Sequence, residues 1–168
     1  MPRPDADVSE FEQRLRETHR MVYRIAYSVL SNPADAEDVT QEAFLRAHQK
    51  FSRLRDPEKF RPWVARMGWR LALNRRRGDS RSMLRDGAWF ATQRGQANPE
   101  VEWADREFET RLRDAIVLLP EKLRSVVMLS GVEELDTRAV AKILRIPEGT
   151  VRSRLHLARR QLLKALMP

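Results

Sequence analysis

Hydrophobic positions along the chain recur at intervals of three and four, the period of a helix with one buried face. Val22, Ile25, Ala26, Val29 and Leu30 form the first such stripe. Asn32 and Pro33 interrupt it. Asn is a good N-cap and Pro suits the first helical position, so a second helix is expected to start there. It runs through Val39, Ala43, Phe44 and Ala47 to about Phe51. A loop with Asp56-Pro57 follows. A third periodic stretch begins near Phe60, carries Trp63, Val64, Met67, Leu71 and Leu73, and ends in Arg75-Arg76-Arg77-Gly78.

The pattern then disappears. Gly78, Gly87, Gly95 and Pro99 punctuate a stretch of scattered Ser, Arg and Gln, the composition of a flexible linker. Met83, Leu84, Trp89 and Phe90 sit inside it and either fold back locally or dock on a partner. Helical periodicity returns near Val101. Phe108, Leu112, Ala115, Ile116 and Leu119 make one face, and Pro120 stops that helix. Leu123, Val126, Val127 and Leu129 predict another short helix, and two more follow over 137–144 and about 150–166. No strand pattern and no internal repeat is visible. The expected fold is all-α: two small helical domains, 1–77 and 105–168, joined by a linker over 78–104.

Composition sharpens this picture. The chain has 168 residues, 42% hydrophobic and 33% charged, which fits folded domains better than disorder. Cores of this size are marginal. The net charge is +8, which points to a polyanionic partner: DNA, RNA or an anionic membrane. There are no cysteines, so disulfides, thiolate metal sites and thiol nucleophiles are excluded. No apolar run approaches the ~20 residues of a membrane span. The polar stretch 1–10 carries no signal-peptide core, so no membrane insertion and a cytoplasmic location are expected.

The sharpest local motif spans residues 136–156. A short helix carries Ala141, small enough for two helices to cross closely, and Ile146 is available to plug the corner of the turn. A second helix buries Val151, Leu155, Ala158 and Leu162. This is the layout of a helix-turn-helix, whose second helix enters the major groove. Arg145 falls where the first helix must turn left-handed, a geometry that costs a non-glycine residue about 1 kcal/mol. Thr150, Arg152, Ser153, Arg154 and His156 lie near the start of the second helix. Arg pairs bidentately with guanine, and Ser reaches base edges or phosphate. Arg159 and Arg160, further along, suit backbone phosphates. Residues 138–164 hold eight Lys or Arg against one acid, Glu148. The plainer alternative is a structural hairpin with a solvated basic face.

Two further stretches carry opposite charge. Residues 31–45 contain Asp35, Glu37, Asp38 and Glu42 and no Lys or Arg. Acids at a helix start suit the macrodipole, which accounts for Asp35 and Glu37. Asp38, Gln41, Glu42 and Leu45 lie deeper and share one face, as a protein-docking stripe would. Residues 53–81 hold ten Lys or Arg against three acids, with Trp63 and Trp69 interleaved. Cations beside exposed aromatics are what single-stranded DNA binding uses. Taken alone, Trp63 reads as a core residue.

These residues, in this order, are similar to a known family. Asp35-Ala36-Glu37-Asp38-Val39-Thr40-Gln41-Glu42-Ala43-Phe44-Leu45-Arg46-Ala47 resembles the polymerase-docking helix of the extracytoplasmic-function sigma factors. Phe60-Arg61-Pro62-Trp63-Val64-Ala65-Arg66-Met67 looks like the start of their promoter-melting helix. Leu118-Leu119-Pro120-Glu121-Lys122-Leu123-Arg124 and Gly149-Thr150-Val151-Arg152-Ser153-Arg154-Leu155-His156 look like their second DNA-binding domain. The resemblance covers about residues 10–77 and 105–166. It implies a factor that brings core RNA polymerase to promoters and helps open them, with no catalytic residues, cofactor or metal of its own. Asp38, Gln41, Glu42 and Leu45 would meet the clamp helices of the largest polymerase subunit. Arg66, Arg70 and Asn74 would meet the −10 element. Thr150, Arg152, Ser153, Arg154 and His156 would meet the −35 element, with the polymerase flap nearby. An anti-sigma factor is the implied regulator. Two departures concern promoter sequence: Asp136-Thr137-Arg138-Ala139-Val140-Ala141 replaces a polar-aromatic start, and Arg70 stands where some relatives have Asn.

Two other functions compete. A stand-alone helix-turn-helix regulator would dimerise and read two-fold sites without polymerase, but it leaves the acidic stripe beside a basic helix unexplained. A nucleic-acid enzyme would need more than His19, His48 and His156, which are well separated, and the acids at 35, 37, 38 and 42. No Gly-rich phosphate loop accompanies them.

Overall fold

The structure, a computed structural model, describes residues 4–78 and 103–167. All its regular elements are helical. The chain divides into two compact units, Met1–Met83 and Leu84–Pro168. Most of the expected linker, residues 79–102 with Met83, Leu84, Trp89 and Phe90, lies outside the described residues.

The first unit is a bundle of α1 (Pro4–Leu30), α2 (Pro33–Lys50) and α3 (Phe60–Gly78), each packed on the other two. Val22, Ile25 and Ala26 of α1, Val39 and Ala43 of α2, and Val64 and Ala72 of α3 are fully or almost fully buried. Between α1 and α2 the chain reverses through Ser31, which takes a left-handed φ of 52°. Asn32 then accepts the Asp35 N–H at 3.1 Å, and Pro33 opens the helix, as the local sequence predicts. Such a cap stabilises a helix by about 1 kcal/mol. The buried hydroxyl of Thr40 donates to the Ala36 carbonyl at 2.7 Å, so it adds no unpaired polar group to the core.

Two short 3₁₀ turns, Phe51–Arg53 and Pro57–Lys59, join α2 to α3. Asp56 caps the second by accepting the Glu58 N–H at 3.1 Å. The rings of Phe11, Phe51 and Phe60 meet edge to face with centroids 5.3–6.0 Å apart and close this end of the bundle. Arg14 donates to the Pro57 carbonyl at 2.8 Å and pins the loop to α1. Gly68 of α3 lies close against Val22 of α1. A Cβ there would stand 2.8 Å from Val22 Cγ1.

The second unit contains α4 (Trp103–Val117), α5 (Glu121–Val126), α6 (Thr137–Leu144) and α7 (Glu148–Leu166). Its core gathers Ile116, Leu123, Val126, Met128, Leu129, Val140, Ile143, Val151 and Ala158. The short helix expected over 123–129 is only partly regular. After Val126 it widens into a π-helical turn over Val127–Val132, and Glu133 N–H reaches back five residues to Met128. The wider turn ends at Glu134, another left-handed residue, with φ 54°. Phe108 is a second correction: it is 54% exposed, because the face of α4 that packs begins nearer Ala115 and Ile116.

Asp136 caps α6, accepting the Ala139 N–H at 2.8 Å. Arg145 ends it with φ 56° and ψ 46°, the left-handed turn expected from sequence. Ile146 is half-buried in the turn. Helix α7 starts at Glu148, two residues earlier than expected, because Pro147 in extended geometry already serves as its N-cap. Of the four side chains expected to be buried on α7, Val151 and Ala158 are buried, whereas Leu155 and Leu162 are half-buried.

Two stability changes are expected. Gly68→Ala forces a methyl against the stiff, buried Val22 and should destabilise the first unit by about 1–3 kcal/mol. Pairing it with Val22→Ala should recover part of that loss in thermal unfolding. Arg145→Gly relieves the left-handed strain and should stabilise the second unit by about 1 kcal/mol, read from urea unfolding of the full chain.

Candidate polymerase and nucleic-acid interfaces

Helix α2 separates its two faces sharply. Ala36, Val39, Thr40, Ala43, Phe44 and Ala47 are buried against the bundle. On the other side Asp38 and Gln41 are exposed, Glu42 is partly so, and Leu45 is 65% exposed. The structure therefore presents all four expected docking residues on one outward face. An apolar side chain so exposed, flanked by carboxylates, suits a partner surface that is basic with an apolar spot. Glu42 is held by Arg46 at 2.6 Å, and Gln41 donates weakly to Glu37 at 3.4 Å. On the adjoining α1, His19 stacks on Phe44 and stands 3.9 Å from Glu37.

Glu37 also acts on α1. Burial pushes the Tyr23 phenol above its ordinary value, and the Glu37 carboxylate adds to the shift. Tyr27 is raised in the same direction by burial and then by Tyr23.

Helix α3 carries Arg66, Arg70 and Asn74 in i, i+4, i+8 register, which gives one continuous stripe. Asn74 is exposed and both arginines are half-buried. Arg66 Nε is buried without a hydrogen-bond partner among the described residues. The aromatic expectation needs correction. Trp69 is only 7% exposed and belongs to the core, so it offers no stacking face. Trp63 is half-buried beside Phe60, with centroids 5.8 Å apart.

One long-range contact has no local sequence signal. Arg75, in the last turn of α3, donates from Nη2 to Asp35 at 2.7 Å and to Asp38 at 3.2 Å. The acidic stretch and the arginine run are each visible in sequence. Nothing local says that 40 residues apart they touch.

In the second unit α6 packs on α7, with Ala141 buried where they meet. Arg152, Ser153 and His156 are exposed, and Thr150 and Arg154 are half-buried, so the five expected contacts cluster on the first two turns of α7. Arg152 pairs with Glu148 at 3.2 Å, and Ser153 donates to the Thr150 carbonyl at 3.1 Å. Both side chains are ordered by their own helix rather than by the core. Gly149 has open space where a Cβ would stand, which leaves the start of α7 unobstructed. Arg159 and Arg160 continue the exposed basic surface.

Comparison with known proteins agrees with this layout. Residues 15–82 match the model of sigma-70 region 2, and residues 109–162 match that of sigma-70 region 4. The chain is 30% identical over 154 residues to the ECF RNA polymerase sigma factor SigW of Bacillus subtilis, covering 86% of this chain and 82% of that one. It is 33% identical over 159 residues to the ECF sigma factor SigE of Mycolicibacterium smegmatis, covering 94% of this chain and 62% of that one. Among solved structures, the sigma factor RpoE in complex with the anti-sigma factor NepR from Bartonella quintana has the same fold. Its TM-score is 0.64 at 20% identity, over 93% of this chain and 96% of that one. CnrH in complex with the cytosolic domain of CnrY gives 0.61 at 21%, over 93% and 86%.

The chain belongs to the sigma-70 family of transcription initiation factors. Within it, the chain is an extracytoplasmic-function RNA polymerase sigma factor, a protein that directs RNA polymerase. Sigma factors as a class are initiation factors rather than enzymes. No helix among the described residues is long and apolar enough to cross a membrane.

The two tyrosines of α1 give a pH prediction. Both phenols are raised above 10.0 in the fold, so the unfolded chain ionises first as pH rises. Stability from these groups is complete below pH ~10 and is lost above it. Ultraviolet titration of the phenolate band should show both transitions above the free value in the folded chain and at it in urea.

Proposed function

We propose that the chain is the non-catalytic specificity subunit of RNA polymerase in the cytoplasm, with residues 1–77 and 105–168 as its two working domains and 78–104 as their tether. Asp38, Gln41, Glu42 and Leu45 dock on the clamp helices of the largest subunit. Arg66, Arg70 and Asn74 engage the −10 element as it opens. Thr150, Arg152, Ser153, Arg154 and His156 read the −35 element, with the second domain seated near the polymerase flap. The polymerase supplies all the nucleotidyl chemistry.

The observation that carries this reading is the placement of an outward acidic-apolar stripe on α2 and a cationic stripe on α3 in one bundle. A single small domain thereby offers one surface suited to a basic protein and another suited to DNA. The cations neutralise phosphates and Asn74 offers an amide to an unstacked base. Arg152 and Ser153 supply major-groove donors. Each domain alone binds its element weakly. Tethering both on polymerase raises the effective concentration of each, so specific binding is expected of the holoenzyme and not of the free chain.

An anti-sigma protein is the expected regulator. The sigma factor RpoE, which shares this fold, was solved in complex with the anti-sigma factor NepR, which supports a partner of that kind here. By covering the docking and DNA faces, it would hold the factor inactive.

Run-off transcription from a genomic fragment library, with core polymerase and with or without the chain, tests the reading. New transcripts sharing two spaced upstream elements are expected. Their absence, together with tight salt-resistant promoter binding by the chain alone, would support a stand-alone regulator instead. In the same assay Arg152→Ala should weaken use of the −35 element by about 1–3 kcal/mol and relax preference at one base pair.

A further inference from the structure

Arg75 stands where the two functional faces of the first unit meet. It follows Asn74 in sequence and begins the basic last turn of α3. Its Nη2 reaches across to α2 and holds two carboxylates. The two contacts are unequal. The shorter, at 2.7 Å, goes to Asp35, whose side chain is 25% exposed and whose N–H is fixed by the Asn32 cap. The longer, at 3.2 Å, goes to Asp38, whose side chain is 60% exposed. Asp35 is therefore an anchor, and Asp38 is an exchangeable partner.

We propose that Arg75 is a positioning residue that couples polymerase docking on α2 to DNA engagement on α3. The inference rests on the reading of Asp38 as a docking residue and of α3 as DNA-facing. In the free chain the guanidinium partly neutralises Asp38, the leading carboxylate of the docking stripe. When a basic group of the polymerase takes Asp38, Arg75 keeps Asp35 and gives up its contact with Asp38. The positive potential at the end of α3 rises beside Asn74 at that moment. A phosphate arriving there acts in reverse and loosens the hold on Asp38. The two events share one cation, so each favours the other by the same factor. The free chain, with the cation covered, is biased against both DNA and polymerase until they arrive together.

The test measures binding of fluorescently labelled full chain to core polymerase, with and without random-sequence single-stranded DNA of about 12 nucleotides. Wild type, Arg75→Ala, Arg75→Lys, Asp38→Asn and the double variant Asp38→Asn/Arg75→Ala are compared, with thermal unfolding of each. In wild type the DNA should tighten polymerase binding. Arg75→Ala uncovers Asp38 and should bind polymerase alone about two- to five-fold more tightly, the range of one partly exposed ion pair. Its response to DNA should shrink, and Arg75→Lys should restore much of it. Asp38→Asn should cost more in the Arg75→Ala background than in wild type. Additive effects, or polymerase binding that weakens in parallel with a lower melting temperature, would reduce Arg75 to a structural strut and overturn the coupling. Failure of wild type itself to bind core polymerase would instead overturn the docking reading, and the coupling with it.

Discussion

Helix α1 packs on both α2 and α3, and Gly68 of α3 lies so near Val22 of α1 that a Cβ there would stand 2.8 Å from Val22 Cγ1. The absent side chain at Gly68 lets the two backbones come near enough for α3 to lie along the bundle. With that geometry set, α2 and α3 each have one face committed to the core and one face outward. The apolar pattern decides which residues are inward, and everything chemical is left for the outside. Asp38, Gln41, Glu42 and Leu45 become an outward acidic-apolar stripe because Val39, Ala43 and Phe44 are taken by the core. Arg66, Arg70 and Asn74 become a cationic stripe because Val64, Trp69 and Ala72 are.

The second unit solves a similar problem with a turn. Arg145 accepts a strained left-handed backbone so that α7 can pack on α6. The strain costs the free domain stability, and the crossing leaves the first two turns of α7 outside the core. Among the described residues, Arg152 and Ser153 are held by Glu148 and Thr150 of the same helix, exposed contacts that are individually weak.

Features coded by neighbouring residues were legible in sequence. The Asn32–Pro33 helix start, the left-handed Arg145, the break at Pro120 and the face shared by Asp38, Gln41, Glu42 and Leu45 all follow from local chemistry or helical period. Features set by packing were not. Trp69 looked like a stacking platform among arginines, and only the register of α3 against the bundle turns it inward. Phe108 continued an apolar period, yet the packed face of α4 stops short of it. The widened turn over Val127–Val132 has no glycine or proline signal at its start. The Arg75 bridge to Asp35 and Asp38 depends on how two helices 40 residues apart are docked, and no local pattern encodes that.

In the proposed initiation complex, three side-chain faces of this chain meet three different parts of the assembly. Site-specific photo-crosslinking in reconstituted holoenzyme on a promoter tests it most directly, with the probe placed in turn at positions 45, 74 and 153. Crosslinks are expected from 45 to the largest polymerase subunit, from 74 to the −10 strand that opens, and from 153 to −35 duplex. A probe at 45 that labels DNA, or probes at 74 and 153 that label only protein, would contradict it.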